Sequence, residues 1–297
     1  MSFDLNKFYT ELDNCFAMRD NNLVESFLRN SLDEAKMSDP VNAEPRSEAN
    51  MAFVVVSNEL ASFLRGLSRF EESLATYDAA KEELRAHGME DSKDYATVIL
   101  NEAGCWRYMQ EPQKALALFL QAADILSKAA SSEAGVLAGL FNNISLTYLD
   151  LKEPEKALAF LNRALDICER TPSMTQELGI TWNNLANAYY ALNDKEEAFN
   201  ASNQATRILA AIFDGQDAHY PAALNTRGIL YFREGDYVQA LEDFEQSMNK
   251  TRLVFGENVD FMITCGNCAA CCRKLGREED ARKWEEKQDE LKAKLMG

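Results

Sequence analysis

Basic charge is what this chain is shortest of. Its 297 residues carry 31 Lys and Arg against 48 Asp and Glu, a formal net charge of −17. Nucleic acid is therefore not an expected ligand, because phosphate binding needs a basic footprint. Histidine is scarcer still, with His87 and His219 only, and no G-x-S-x-G, Walker-type loop or H-E-x-x-H occurs. Neither an enzyme nor a bound cofactor is expected. Long apolar runs are missing too. The most compact, Met51 to Val56, is far below the ~20 residues of a membrane span, so no membrane is expected. Residues 1–14 contain no apolar stretch of the secretory kind. Seven cysteines without such a leader point to reduced thiols in a cytoplasm.

What is present is ordinary for a globular protein, at 46% apolar and 27% charged residues. Its organisation lies in a repeat. Glu111-Pro-Gln-Lys-Ala-Leu-Ala-Leu-Phe-Leu-Gln-Ala-Ala-Asp-Ile125 nearly coincides with Glu153-Pro-Glu-Lys-Ala-Leu-Ala-Phe-Leu-Asn-Arg-Ala-Leu-Asp-Ile167, 42 residues on. In that phase a small residue recurs at Ser73, Ala115, Ala157, Ala198, Ala240 and Ala281. Twelve residues before each stands another: Ala61, Ala103, Ser145, Ala186, Gly228 and Ala269. Seven residues after the first series come Ala80, Ala122, Ala164, Ala205, Ser247 and Gln288. Six units thus cover residues 50–297.

Each unit reads as two helices. Trp182, Leu185, Ala186 and Tyr189 fall at i, i+3, i+4 and i+7, one face of a helix. Asn193-Asp194 interrupts it, and Ala198 to Ile208 continues as a second helix. Small residues allow close helix crossings, and a hairpin that cannot bury its apolar face alone stacks on its neighbours. Residues 1–49 form a separate segment. Phe8, Leu12 and Cys15, then Val24, Leu28 and Leu32, suggest a further hairpin broken at Arg19 to Asn22, with Ser38 to Asn50 as a linker. Seven acids against four bases up to Lys36 argue against a DNA-binding helix-turn-helix there.

These residues resemble the tetratricopeptide family. Its large-x-x-Leu-Gly/Ala-x-x-Tyr first helix and small-x-x-x-aromatic-x-x-Ala second helix are matched by Trp182, Leu185, Ala186, Tyr189, Ala198 and Ala205. Unit three matches with Phe141, Ile144, Ser145, Tyr148, Ala157, Leu161 and Ala164, and unit five with Gly228, Tyr231, Ala240 and Phe244. The period of 42 and the linkers beginning at Gly88, Gly215 and Gly256 look like the repeats of kinesin light chains and their bacterial relatives. The resemblance covers the repeats, since no coiled-coil heptads precede them. It implies an all-α, right-handed superhelical solenoid of antiparallel helix pairs, with residues 1–49 as a degenerate cap repeat.

Two further patterns carry functional readings. Cys265-x-x-Cys268-x-x-Cys271-Cys272 has metal-cluster spacing, but the fourth ligand position after x3 is Leu275. Cys265, Cys268 and Cys272 also fall at the packing positions of Trp182, Leu185 and Tyr189, so core packing is the better account. With Trp182 as position 4, positions 2, 5, 6, 9, 12 and 13 face away from the core stripe, at ~100° per residue. In tetratricopeptide proteins that stripe lines the concave groove. Position 6 holds Asn101, Asn143, Asn184 and Asn267, and position 5 holds Asn58, Asn142, Asn183 and Asn225; Asn187 stands at position 9.

Asparagine is a mediocre helix former, so its recurrence needs a reason. Amides offer donor and acceptor together, so the ladder either holds an extended peptide backbone or links adjacent repeats. The family resemblance implies the former. Arg65, Arg107, Arg233, Arg273 and Lys274, with Tyr108, Tyr190 and Phe232, are candidates for the flanking pockets. Five bases against Glu59 and Asp150 make this face mildly positive, at 5 − 2 = +3. The expectation is a non-enzymatic, cytoplasmic protein- or peptide-binding scaffold for a neutral-to-acidic segment. The alternatives are a peptide-sensing regulator and a self-assembling homo-oligomer whose groove holds another copy's terminus.

Overall fold

The computed structural model describes residues 3–18, 20–38, 50–128, 134–215 and 217–296. Fourteen α-helices make up the described residues, with one 3-10 turn at Ile212–Gly215 and no strand. They form two compact units, Met1–Glu133 and Ala134–Gly297.

The first unit holds α1 (Leu5–Ala17), α2 (Asn21–Ser38), α3 (Met51–Gly66), α4 (Phe70–Ala86), α5 (Lys93–Tyr108) and α6 (Pro112–Lys128). The expected hairpin is α1 and α2. It shares one core with the first repeat, in which Phe8, Leu12, Val24 and Leu28 meet Val56, Leu60 and Leu64. Most of the linker expected over Ser38 to Asn50 lies outside the described residues. An ion network ties α2 to the start of α4: Arg69 bonds Glu25 at 2.8 Å and Glu72 at 2.7 Å, and Arg29 reaches Glu72 at 3.0 Å. Hydrogen bonds from Arg29 and Arg69 hold the Glu25 carboxyl below its ordinary range.

The second unit holds the helix pairs α7 (Ala134–Asp150) with α8 (Pro154–Glu169), α9 (Thr175–Ala191) with α10 (Lys195–Ala211), α11 (Tyr220–Glu234) with α12 (Tyr237–Phe255), and α13 (Val259–Lys274) with α14 (Glu278–Met296). In both units each first helix packs on its own second helix, and each second helix on the next pair.

The small residues sit where the helices cross. Ala61, Ala103, Ser145, Ala186 and their partners Ser73, Ala115, Ala157 and Ala198 are fully buried. Ser73 Oγ donates to the Ala61 carbonyl at 2.7 Å across the crossing. A Cβ on Gly228 would stand 2.7 Å from the Phe244 ring, so unit five admits no side chain there. The large groups beside the crossings, Tyr77, Phe119, Phe244 and Phe261, are wholly enclosed, each such side chain contributing about 1.5–3 kcal/mol.

The helix starts are encoded locally. Asn50, Ser92, Asp194, Asp236 and Asn258 each accept a hydrogen bond from the backbone N–H three residues on. The turn inside each repeat is less legible. Its left-handed residue is Gly235 and Gly276 in units five and six, but Ser68, Gln110, Lys152 and Asn193 in units one to four. The following N–H closes a six-residue loop onto the helix, as from Arg69 to Leu64 and from Glu153 to Tyr148. Two ion pairs on buried carboxylates also join neighbouring helices. Lys81 Nζ lies 2.5 Å from Glu102 between α4 and α5, and Arg227 grips Asp243 with two bonds of 2.7 Å between α11 and α12.

A side chain in the left-handed region costs about 1–2 kcal/mol, partly offset by the backbone freedom that glycine loses on folding. Lys152→Gly is therefore expected to stabilise by ~0.5–1 kcal/mol and to raise the melting temperature by ~1–4 °C. An unchanged or lower melting temperature would contradict the strain assigned to this turn.

Candidate functional site

The amides of positions 5 and 6 form pairs between consecutive repeats. Asn101 donates to Asn58 at 3.0 Å in the first unit. In the second, Asn184 donates to Asn142 at 3.0 Å and Asn267 to Asn225 at 3.2 Å. The register is constant, because position 6 of one repeat meets position 5 of the repeat before it. Asn142 also donates to Thr181 at 3.0 Å, and it and Asn184 are buried at 6% and 5% exposure. Both were expected on the open face, yet the amide of Asn142 is spent at both ends within the fold.

Other members of the ladder keep unused capacity. Asn183 Oδ1 is buried and has no hydrogen-bond partner among the described residues. The next repeat carries Thr226 where its neighbours carry asparagine, so the donor that pairs elsewhere is missing. Asn143 is half-buried, and exposed Asn187 donates to the Asn183 carbonyl at 3.1 Å. Asn267 uses one N–H on Asn225, which leaves its carbonyl oxygen available.

Around Asn267 the open face deepens into a cavity of about 250 Å³ lined by Ile229, Phe232, Arg233, Phe244, Asn267 and Ala270. Arg233 and Asn267, both expected at the site, meet here with Phe232. Arg233 is exposed, and its guanidinium lies 4.6 Å from the ring centre of Tyr190 one repeat earlier. Such stacking orders the head without neutralising it. Ile229 and Ala270 occupy position 9 of their helices, already a groove position by spacing. Phe244 comes from the second helix, and its ring is seen here only because Gly228 leaves room for it. A second cavity of about 280 Å³ lies between the same two repeats, with hydroxyl groups from Thr226, Ser247, Thr251 and Thr264.

The remaining basic candidates are engaged in different ways. Arg65 donates to the Asn101 carbonyl at 2.9 Å and lies 6.0 Å from the ring of exposed Tyr108. Arg107 is half-buried. Arg273 pairs with Glu285 at 2.6 Å, so its charge is offset within the last repeat. Lys274 is exposed and has no partner among the described residues. His87 Nδ1 donates to the Glu83 carbonyl 2.9 Å away, and His219 precedes α11 beside Asp217 at 3.3 Å. Both stand at helix ends.

Cys265, Cys268, Cys271 and Cys272 are all wholly buried on α13, in a core with Phe244, Met248 and Phe261. Cys265 Sγ lies 3.6 Å from Met248 Sδ. Burial pushes the Cys265 thiol up to about 11 and that of Cys271 up to about 12. Cys271, outside the repeat's packing positions, is enclosed as fully as the others. The structure thus accounts for the cluster as small apolar core groups.

Two measurements separate the roles assigned here. Asn142→Ala strands the buried Asn184 donor and should cost about 1–3 kcal/mol in denaturant unfolding. Asn143→Ala, which breaks no such pair, should stay within ~0.5 kcal/mol; equal losses would undo the distinction. Of the seven thiols only Cys15 is not buried. Ellman titration of the native protein near pH 8 should therefore show a single reacting thiol, and the rest only after denaturation. Prompt reaction of the α13 cysteines would refute their core role.

Residues 136–211 and 220–287 match the tetratricopeptide repeat family model. No curated protein matches the chain. Among solved structures, BtubC (BKLC) from P. vanneervenii is similar at 20% identity and TM-score 0.63, covering 77% of this chain and 92% of that one. The putative kinesin light chain repeats of Podosopora anserina share 18% identity at TM-score 0.54, covering 69% and 97%. NprR in complex with its cognate peptide NprX shares 19% identity at TM-score 0.64, covering 100% and 83%. No helix among the described residues is long and apolar enough to cross a membrane. On its repeat residues, its helix pairs and these matches, the chain carries tetratricopeptide repeats, matched over residues 136–211 and 220–287.

Proposed function

We propose that this tetratricopeptide scaffold is a non-enzymatic binder of an extended, neutral-to-acidic peptide segment. The observation that carries the reading is the cavity of about 250 Å³ that joins Phe232, Arg233 and Asn267. An exposed guanidinium stacked on Tyr190 presents two parallel N–H donors to a carboxylate. The free carbonyl of Asn267 accepts from a peptide N–H group. Phe232 supplies an apolar wall for a side chain. The likeness to NprR, whose structure holds a peptide, supports a peptide guest on a fold of this kind.

In this reading the ladder has two jobs. Paired amides link one repeat to the next, and the ends left over face the guest. Each neutral bond adds only about 0.5–1.5 kcal/mol net, so the pocket rather than the ladder sets selectivity.

Peptides selected from a random display library against the full chain test this. They should be enriched in Asp, Glu or a free C-terminal carboxylate. Arg233→Ala should then weaken binding about tenfold or more, the loss of a charge-assisted bond, while the melting temperature holds. Selected peptides that bind Arg233→Ala and Phe232→Ala as well as wild type would overturn the proposed site. Light scattering over a range of concentrations checks the self-assembly alternative, for which a strict monomer is the contrary result.

A further inference from the structure

The first unit carries a pocket of opposite electrostatic character. Between the turn of the N-terminal hairpin and the open side of α3 lies a cavity of about 400 Å³. Phe16 and Asn21 line it from the hairpin, and Glu59, Ser62, Phe63 and Leu67 from the first repeat. Glu59 stands at position 6, where the next repeat carries Asn101. It is half-buried, and it has neither a hydrogen bond nor a counter-ion among the described residues. Burial raises its pKa, and its charge is felt at Tyr9, whose phenol is pushed up by burial and by this carboxylate.

A partly desolvated carboxylate without a cation is a cost to the fold. Among the described residues it is the only charged group lining the cavity. The rest of that lining is uncharged, with Phe16, Phe63 and Leu67 as its apolar part and Asn21 and Ser62 as its polar part. Phe16, at 49% exposure, lies 6.2 Å from Phe63 ring to ring. Ser62 Oγ and the Tyr77 hydroxyl hydrogen-bond at 2.9 Å behind it. A carboxylate beside phenylalanine rings suits a flat, weakly hydrated cation better than a strongly hydrated ammonium, because the guanidinium pairs in a fork and tolerates contact with rings.

We propose that this cavity takes the guanidinium of an arginine side chain from a partner peptide, with Glu59 as its counter-ion and Phe16 and Phe63 as its walls. The site is independent of the cavity around Arg233, and each fails or stands by itself. It gives the protein a subsite for a basic residue, which the mildly positive count over the whole face conceals.

The test is an NMR titration of the full chain with two probes, acetyl-Gly-Arg-Gly-amide and its citrulline counterpart, which has the same shape without the charge. The arginine probe should give saturable amide shifts centred on Phe16, Ser62 and Phe63. Citrulline should bind about tenfold more weakly or worse, as should arginine to Glu59→Gln. Phe16→Ala, at an exposed position, should weaken the arginine probe without lowering the melting temperature. Because Glu59→Gln removes a half-buried charge without a partner among the described residues, it should melt no lower than wild type. Equal binding of the two probes, undiminished binding by Glu59→Gln, shifts centred elsewhere or no saturable shifts would each overturn the proposal. So would a Glu59→Gln variant that melts well below wild type, since the carboxylate would then have a partner within the fold.

Discussion

Everything in a repeat of this protein depends on the close crossing of its two helices at a pair of small residues. At Ala61 and Ser73 the helices approach until a serine hydroxyl reaches the opposite backbone carbonyl. At Gly228 even one methyl group would run into Phe244. Such a contact fixes the rotation of each helix about its axis, because only one face is narrow enough to enter it. The large residues of the same stripe then close around the crossing, and whatever occupies the opposite stripe is left for a neighbour or a guest. The positions of Asn267 and Arg233 in a cavity are a consequence of where Gly228 and Ala240 are.

The amide pairs show a second constraint acting on the same stripe. An asparagine ladder suits a peptide backbone and suits a repeat interface equally well on spacing alone. In three places the second use is realised, with one N–H of a position 6 amide given to the position 5 carbonyl of the repeat before. Where Thr226 replaces the expected asparagine, the Asn183 carbonyl is left without a donor. The interface and the open face thus share one set of side chains, and the surplus of donors and acceptors is what the open face has to offer.

Electrostatics divides the open face more finely than a summed charge does. Arg273 is offset by Glu285, and Arg65 by the Asn101 carbonyl and the Tyr108 ring. Arg233 keeps an exposed head, while Glu59 sits half-buried among phenylalanines. Pairs on buried carboxylates, Lys81 with Glu102 and Arg227 with Asp243, belong to the helix interfaces instead. Net acidity, at −17, resides largely on other surfaces and says little about the guest.

Repeat phase, helix pairing and the core role of Cys265, Cys268 and Cys272 were legible from residue types and spacing. All of these follow from local rules that act within one repeat: a period of 3.6 and a small residue at a crossing. Other features were not legible. Ser68, Gln110, Lys152 and Asn193 adopt the left-handed turn without glycine, because the closing bonds of the two helices impose it. The burial of Asn142, the stacking of Arg233 on Tyr190 and the isolation of Glu59 each depend on a residue about 40 positions away or on the N-terminal hairpin. The order of residues alone determined the repeat pattern, the helices and the stripe that lies opposite the helix crossings. Only tertiary structure decided which side chains on that stripe are spent on neighbours and which remain free, because hydrogen-bond satisfaction is a property of pairs brought together by packing.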